Sequence, residues 1–191
     1  MGLLAASLLG CIRSASQIAG VDLRRLEQDD RLLLIGKVQV LRGRDLTARV
    51  AIETDDAALG GYQLDASGIV AWVVRRPTRP LYLAWLSSDQ LNAGQEQADG
   101  AVGLAHDPRL QLAPASAATR IVYFGTIVID LGTRQPAGLE QVAGVSQHKT
   151  SIEVRDEAQV TLERVLALNP TVAGLDYFSL PAGEVRHAGV R

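Results

Sequence analysis

The chain has 191 residues, 47% of them hydrophobic and 21% charged, which suits one domain with short extensions and excludes a wholly disordered chain. A formal net charge of −2 supplies no basic field for nucleic acid, so nucleic acid is not an expected partner. The single cysteine, Cys11, rules out an internal disulfide and with it any dependence of the fold on an oxidising compartment.

Residues 1–10 read as a lipoprotein-type signal segment. Leu3, Leu4, Leu8 and Leu9 stand among Gly, Ala and Ser and form a short apolar run that stops at Cys11. Leu8-Leu9-Gly10-Cys11 resembles the bacterial lipobox, which implies cleavage before Cys11 and diacylglycerol on its thiol. Small residues fit such a cleavage site, and a thiol is alkylated where a hydroxyl is not. Each acyl CH₂ buried in lipid contributes about 0.8 kcal/mol, so two or three chains make a stable anchor. Two features depart from the pattern: Leu9 is bulky for its position, and residues 1–10 contain no Lys or Arg. The competing expectation is a cytosolic domain in which this segment packs as a buried helix ending at a buried thiol. In lipoproteins an aspartate after the cysteine retains the protein at the inner membrane. Ile12 stands there instead, which points to the outer membrane, facing the periplasm.

Residues 11–30 are polar and mixed and read as a tether or short helix, with Ser14 and Gln17 spaced for a capping box and Gly20 interrupting it. Residues 31–155 carry the strand signals. "LLLIGKVQVLR" is followed by "GRD" and by "LTARVAIE", whose alternation turns Leu46, Ala48, Val50 and Ile52 inward. Asp65-Ala66-Ser67-Gly68 reads as a hairpin turn. Beyond it Ile69, Ala71 and Val73 share one face of a strand, and Val70, Trp72 and Val74 the other. "TRPLYLAWLSS" is a further strand, and Trp72 and Trp85 are expected as core anchors. Residues 87–119 form a long loop with a short strand at 110–113, a natural place for a binding surface. "RIVYFGTIVIDLGT" is apolar throughout and reads as the central strand, with Gly125 marking a bulge or a close approach. "KTSIEV" follows as a short strand.

Residues 156–191 read as a helix and a tail. Asp156 and Gln159 are spaced for a capping box; Ala158, Leu162, Val165 and Leu166 share a face opposite Glu163 and Arg164; Asn169-Pro170 ends the helix. Little pattern beyond "YFSL" marks the remainder. Seven or more short strands and one helix predict a mainly β fold: an antiparallel β-sandwich, transthyretin-like or immunoglobulin-like, followed by one C-terminal α-helix.

"GYQLDASGIVAWVVRRPTRPLYLAWL", "IVYFGTIVID" and "VRDEAQVTLERVLALNP", in that order, resemble bacterial lipoproteins with a transthyretin-like or carboxypeptidase-regulatory-like sandwich. Tyr123-Phe124-Gly125-Thr126 matches their Tyr-x-Gly-Thr strand, whereas Thr78-Arg79-Pro80 lacks the glycine of their corner. The resemblance covers roughly residues 32–170 and implies a lipid-anchored envelope protein without catalysis.

Chemistry-bearing patterns are sparse. His106, His148 and His187 are far apart, and no zinc or EF-hand spacing occurs, so neither a metal nor a cofactor is expected. "GVSQH", 144–148, approaches a nucleophile elbow but ends in His148 and reads as a loop. Glu53, Asp55 and Asp56 read as a solvated strand end rather than calcium ligands, and Arg75, Arg76 and Arg79 as a solvated loop rather than an anion site. Seventeen of the 19 basic residues are arginines, and their scatter reads as a compositional bias. The functional expectation is a binding or structural module of the envelope, held by membrane lipid through Cys11 and pairing with an envelope protein. An enzyme assembled only in three dimensions would use His106 and Arg79.

Overall fold

A computed structural model describes residues 13–14, 18, 23, 26, 30–42, 45–46, 50–87, 101–104, 106–117, 119–132 and 150–188. Cys11, His148 and the segment 144–148 lie outside the described residues, as does Ala48. The chain forms two sheets and one helix near its C-terminal end, the predicted mainly β sandwich with a helix added. It is not wholly antiparallel: Arg31–Arg42 pairs in parallel with Ile121–Asp130, that strand with Asp176–Ser179, and Arg13–Ser14 with Gly61–Gln63.

Sheet 1 contains β1 (Arg13–Ser14), β4 (Ala51–Thr54), β5 (Gly61–Gln63), β7 (Leu81–Ser87) and β8 (Ala101–Gly103), in the order β1-β5-β4-β7-β8, and β9 (Gln111–Ala113) also pairs with β7. Sheet 2 contains β2 (Arg31–Arg42), β3 (Asp45–Leu46), β6 (Ile69–Arg75), β10 (Ile121–Asp130), β11 (Ser151–Arg155), β12 (Asp176–Ser179) and β13 (Glu184–His187). At its centre β2 and β10 run parallel, from Leu33 opposite Ile121 to Leu41 opposite Asp130. On its other flank β10 carries β12 along Ile121–Tyr123, parallel, and β11 along Thr126–Asp130, antiparallel. The flank of β2 away from β10 carries β6 and then β3, both antiparallel.

The central parallel pair explains the unbroken apolar runs of β2 and β10. Strands covered on both faces need no polar side, and parallel pairs are characteristically covered so. Even-numbered residues of β2 and β6, including Leu32, Leu34, Val38, Val70 and Trp72, join Val122, Phe124, Ile127 and Ile129 in the core between the sheets. Odd-numbered residues, among them Leu33, Ile35, Ile69 and Ala71, join Ile121 and Tyr123 beneath helix α1 (Ala158–Leu168). Three layers result: sheet 1, sheet 2 and helix.

The face change from Phe124 to Ile127 requires an irregularity. It lies where the β10–β2 register shifts between Tyr123 and Thr126, with Gly125 at φ +96°. A Cβ there would also come within 2.9 Å of Pro181 Cγ, so the bulge and the close approach both select glycine.

Helix α1 turns Ala158, Leu162 and Val165 into the second core, as its apolar periodicity predicts. Its cap differs from the expected box. Glu157 is the N-cap residue and makes no side-chain cap bond; its N–H donates instead to the Tyr123 hydroxyl at 2.8 Å. Asp156 is taken up by Arg186, at 2.9 Å. At the other end Asn169 Oδ1 accepts from the Thr171 N–H, and Asn169 Nδ2 donates to the Ile18 carbonyl at 2.9 Å. Ile18, Leu23 and Leu26, from the stretch read as a tether or short helix, are buried in the same cluster as Leu162 and Val165.

Further expectations are corrected. Asp65–Gly68 does turn, with the Gly68 N–H donating to the Asp65 carbonyl at 3.0 Å, but no hairpin results: β5 lies in sheet 1 and β6 in sheet 2. Leu46 is exposed, at the edge position β3. Trp85 is 49% exposed, whereas Trp72 is the core anchor expected. A register shift between Glu53 and Thr54 in the β4–β7 pair places Trp85 opposite Glu53, also exposed, and its ring lies over Gly103. The tail is not patternless: β12 and β13 form an antiparallel edge pair.

Candidate functional site

One end of the sandwich collects most of the charged residues singled out above. Strand β6 ends there at Arg75, directly opposite Arg31 at the start of β2. Arg31, Arg75, Asp30, Leu59, Trp72 and Val74 help line an open surface depression of about 420 Å³.

Each arginine of the "RRPTR" stretch meets a different fate. Arg76 is structural: its Nε lies 3.4 Å from Asp30 Oδ1, its Nη1 donates to the Ala117 carbonyl, and its N–H donates to the Asp30 carbonyl at 2.8 Å. It thereby ties the start of β2 to the segment before β10. Arg79 pairs with Asp55 at 2.5 Å and also donates to the Asp55 carbonyl at 2.9 Å. Of these three, Arg75 alone is paired with no carboxylate among the described residues. Its cross-strand neighbour Arg31 is in the same position, and both are exposed.

The acidic stretch is dispersed in the same way. Asp55 accepts the Tyr82 N–H at 3.0 Å besides holding Arg79, and Asp56 accepts the Ala58 N–H at 3.1 Å to cap a 3-10 turn, Ala57–Leu59. Glu53 stands apart on β4, exposed. Among the described residues no three His, Cys, Asp or Glu side chains come together as metal ligands. His106 is exposed, its ring 4.1 Å from that of Tyr82; His187 is exposed beside Asp176, at 2.9 Å. His106 and Arg79 thus border Tyr82 and Asp55 separately, with Arg79 committed to its ion pair.

Several other arginines pair with a carboxylate two residues before them: Arg109 with Asp107, Arg155 with Glu153, Arg186 with Glu184. In a strand such residues share a face, which accounts for the last two pairs. The Arg109 guanidinium holds the Asp107 carboxyl below its ordinary range, and Arg109 Nη1 also donates to the Ile152 carbonyl at 2.6 Å on the edge strand β11. Among the described residues Arg31 and Arg75 stand opposite one another with no carboxylate partner.

Trp72 adds no donor to this surface. It is 1% exposed, and its Nε1 is buried without a hydrogen-bond partner. That nitrogen lies in the core between the sheets and is closed to solvent, so it faces packed side chains rather than the open surface. The sequence marks Arg75 as part of a solvated loop and does not single out Arg31, because the register that joins them is a long-range property. No helix among the described residues is long and apolar enough to cross a membrane. Comparisons with protein-family models, with curated proteins and with solved structures find no match to this chain.

Proposed function

We propose that the chain is a lipid-anchored protein of the bacterial cell envelope, held through acyl chains on Cys11 and acting as a non-catalytic binding module. The observation that carries this reading is the apolar run ending in Leu8-Leu9-Gly10-Cys11, two residues before the chain enters sheet 1. β1 pairs with β5 in parallel, Arg13 opposite Tyr62. Two peptide units span at most about 7 Å, so an anchor on Cys11 would hold the domain against the membrane surface with no slack. The resemblance to lipoproteins with transthyretin-like sandwiches supports the same reading, and Ile12 in place of aspartate supports the outer membrane, facing the periplasm.

The mass of the intact protein, extracted from its own cells in detergent, tests it. The expected result is a chain beginning at Cys11 with added acyl mass. An unmodified chain beginning at Met1 overturns the anchor. That result favours the second reading, a cytosolic interaction domain, which the burial of Ile18, Leu23 and Leu26 supports by making the N-terminal region part of the core.

A further inference from the structure

Side chains close two strand edges of sheet 2. At β6 the Tyr62 hydroxyl accepts the Ala71 N–H at 3.0 Å, and at β11 the Ile152 carbonyl accepts from Arg109 Nη1 at 2.6 Å. β13 ends the sheet, and among the described residues no strand lies beyond it. Two bonds fix which of its backbone groups face out. The Leu180 N–H donates to the Tyr123 carbonyl, and the Ala188 N–H to the Leu175 carbonyl, each at 2.9 Å. Tyr177 and Ser179 therefore turn their backbone groups to β13, and Glu184 and Arg186 turn theirs to β12. The N–H and C=O of Val185 and His187 point outward. An edge of this kind is a template for another strand. The Val185 side chain is 53% exposed and stands opposite Phe178, so apolar surface accompanies the open backbone groups.

The charges about Val185 select the strand that fits. Glu184 and Arg186 flank it on the face from which Arg186 reaches Asp156. A second copy, laid antiparallel with Val185 opposite Val185, brings each Glu184 to the other copy's Arg186, twice by symmetry. The same register aims each outward Val185 N–H at the opposing carbonyl. Opposite charges facing one another stabilise a sheet and like charges destabilise it. Moving the register to Val185 opposite His187 sets Arg186 against Arg186 and is disfavoured. A guard of one sign would repel a copy of itself, whereas Glu184 and Arg186 attract one.

We propose that β13 pairs with β13 of a second copy of this chain, joining the two sheets 2 into one continuous sheet across a two-fold axis at Val185. Four residues a side fall short of the roughly 20–30 of a standard interface, so the dimer is weak and concentration-dependent. The pairing does not rest on the envelope reading above.

Sedimentation equilibrium of the full chain carrying Cys11→Ser, from micromolar to millimolar protein, tests it. The expected result is a reversible monomer–dimer equilibrium. Val185→Pro removes only an outward N–H and leaves the β12–β13 ladder intact, so it should abolish the dimer without unfolding the chain. Glu184→Arg sets like charges at both crossings and should weaken the dimer tenfold or more, as should Arg186→Glu. Mixing those two single variants should restore association, because each then meets the opposite charge. If Arg186→Glu fails to fold for want of its Asp156 pair, Val185→Pro and Glu184→Arg still decide. A monomer at every concentration overturns the proposal and leaves the edge to a strand of a different protein. A dimer indifferent to Val185→Pro and Glu184→Arg overturns it by placing the contact elsewhere.

Discussion

The Tyr62 hydroxyl, carried on β5 of sheet 1, accepts the Ala71 N–H of β6 in sheet 2 at 3.0 Å. It also reaches the Ile69 carbonyl, at 3.5 Å. Ala71 belongs to a non-hydrogen-bonded pair with Ile35, so its N–H points away from β2, toward the free edge of the sheet. There the tyrosine takes the place of a neighbouring strand and staples the two sheets at the corner that Asp65–Gly68 turns. Its ring packs beside Trp72, with centroids 5.5 Å apart, so the staple also supports the wall of the surface depression.

Tyr62→Phe keeps the ring and orphans the Ala71 N–H. A buried donor left unsatisfied costs about 1–3 kcal/mol, so urea unfolding should show that loss with an unchanged dependence on denaturant concentration. A variant as stable as the parent would show that water satisfies the edge.

Burial pushes the Tyr62 hydroxyl well above its ordinary pKa of 10.0, and burial pushes Tyr123 in the same direction. The native state therefore keeps protons that the unfolded chain releases near pH 10, and stability falls as pH rises above that value. Below pH 10 both states hold the proton, and neither group makes stability depend on pH. Unfolding followed from pH 8 to 11 should show the decline beginning near pH 10, and Tyr62→Phe should flatten it. An equal slope in the variant would assign the alkaline loss elsewhere.

Much of the fold was legible because its signals are local. Apolar runs at 32–35 and 121–129, the turn residues at 65–68 and the helical spacing of Ala158, Leu162 and Val165 each depend on neighbours in the chain. What stayed hidden depends on partners far away. Asp65–Gly68 has the same turn chemistry whether it joins strands within a sheet or between sheets. Trp85 is turned outward by a register shift that arises only when β4 meets β7. Arg31 and Arg75 become neighbours through β2–β6 pairing, and β12 is too short for an alternation of Tyr177 and Ser179 to stand out. The Arg31–Arg75 pair was half legible: Arg75 was noted as part of a solvated loop, but its partner needed the register.

Gly36 lies under the ring of Phe124, where a Cβ would come within 2.2 Å of Cε2. Both residues are central in sheet 2, so neither backbone can retreat easily. Gly36→Ala should cost about 1–3 kcal/mol through overpacking, read as a lower thermal midpoint. Adding Phe124→Leu should return part of the loss if the ring is the obstacle. A double variant with the full sum of both losses would locate the strain in the backbone.

Arg76 and Arg79 are three residues apart and should behave differently. Arg79 is 60% exposed and its partner Asp55 lies at the strand end, so Arg79→Gln should change stability by under about 1 kcal/mol and less still at high salt. Arg76 is 26% exposed and bonds the Ala117 carbonyl besides Asp30. Arg76→Gln should cost about 1.5–3 kcal/mol, the range for hydrogen bonds to charged groups, and respond little to salt. Equal losses in denaturant unfolding would contradict the distinction.

Asn169 joins the end of α1 to the N-terminal region: its Nδ2 donates to the Ile18 carbonyl while its Oδ1 receives the Thr171 N–H, and it is 3% exposed. Asn169→Ala removes these bonds and the one from the Thr171 hydroxyl, and leaves the Ile18 carbonyl without this donor, at a cost of about 1–3 kcal/mol. The effect should be local first, because Ile18, Leu23 and Leu26 reach the helix from outside sheet 2, whereas β2 and β10 are held by their own ladder. Hydrogen exchange should therefore accelerate around residues 18–26 before it changes in β10. Uniform acceleration across both regions would mean that the N-terminal segment opens only with the whole domain, and that the reach of an anchor on Cys11 is fixed by the fold.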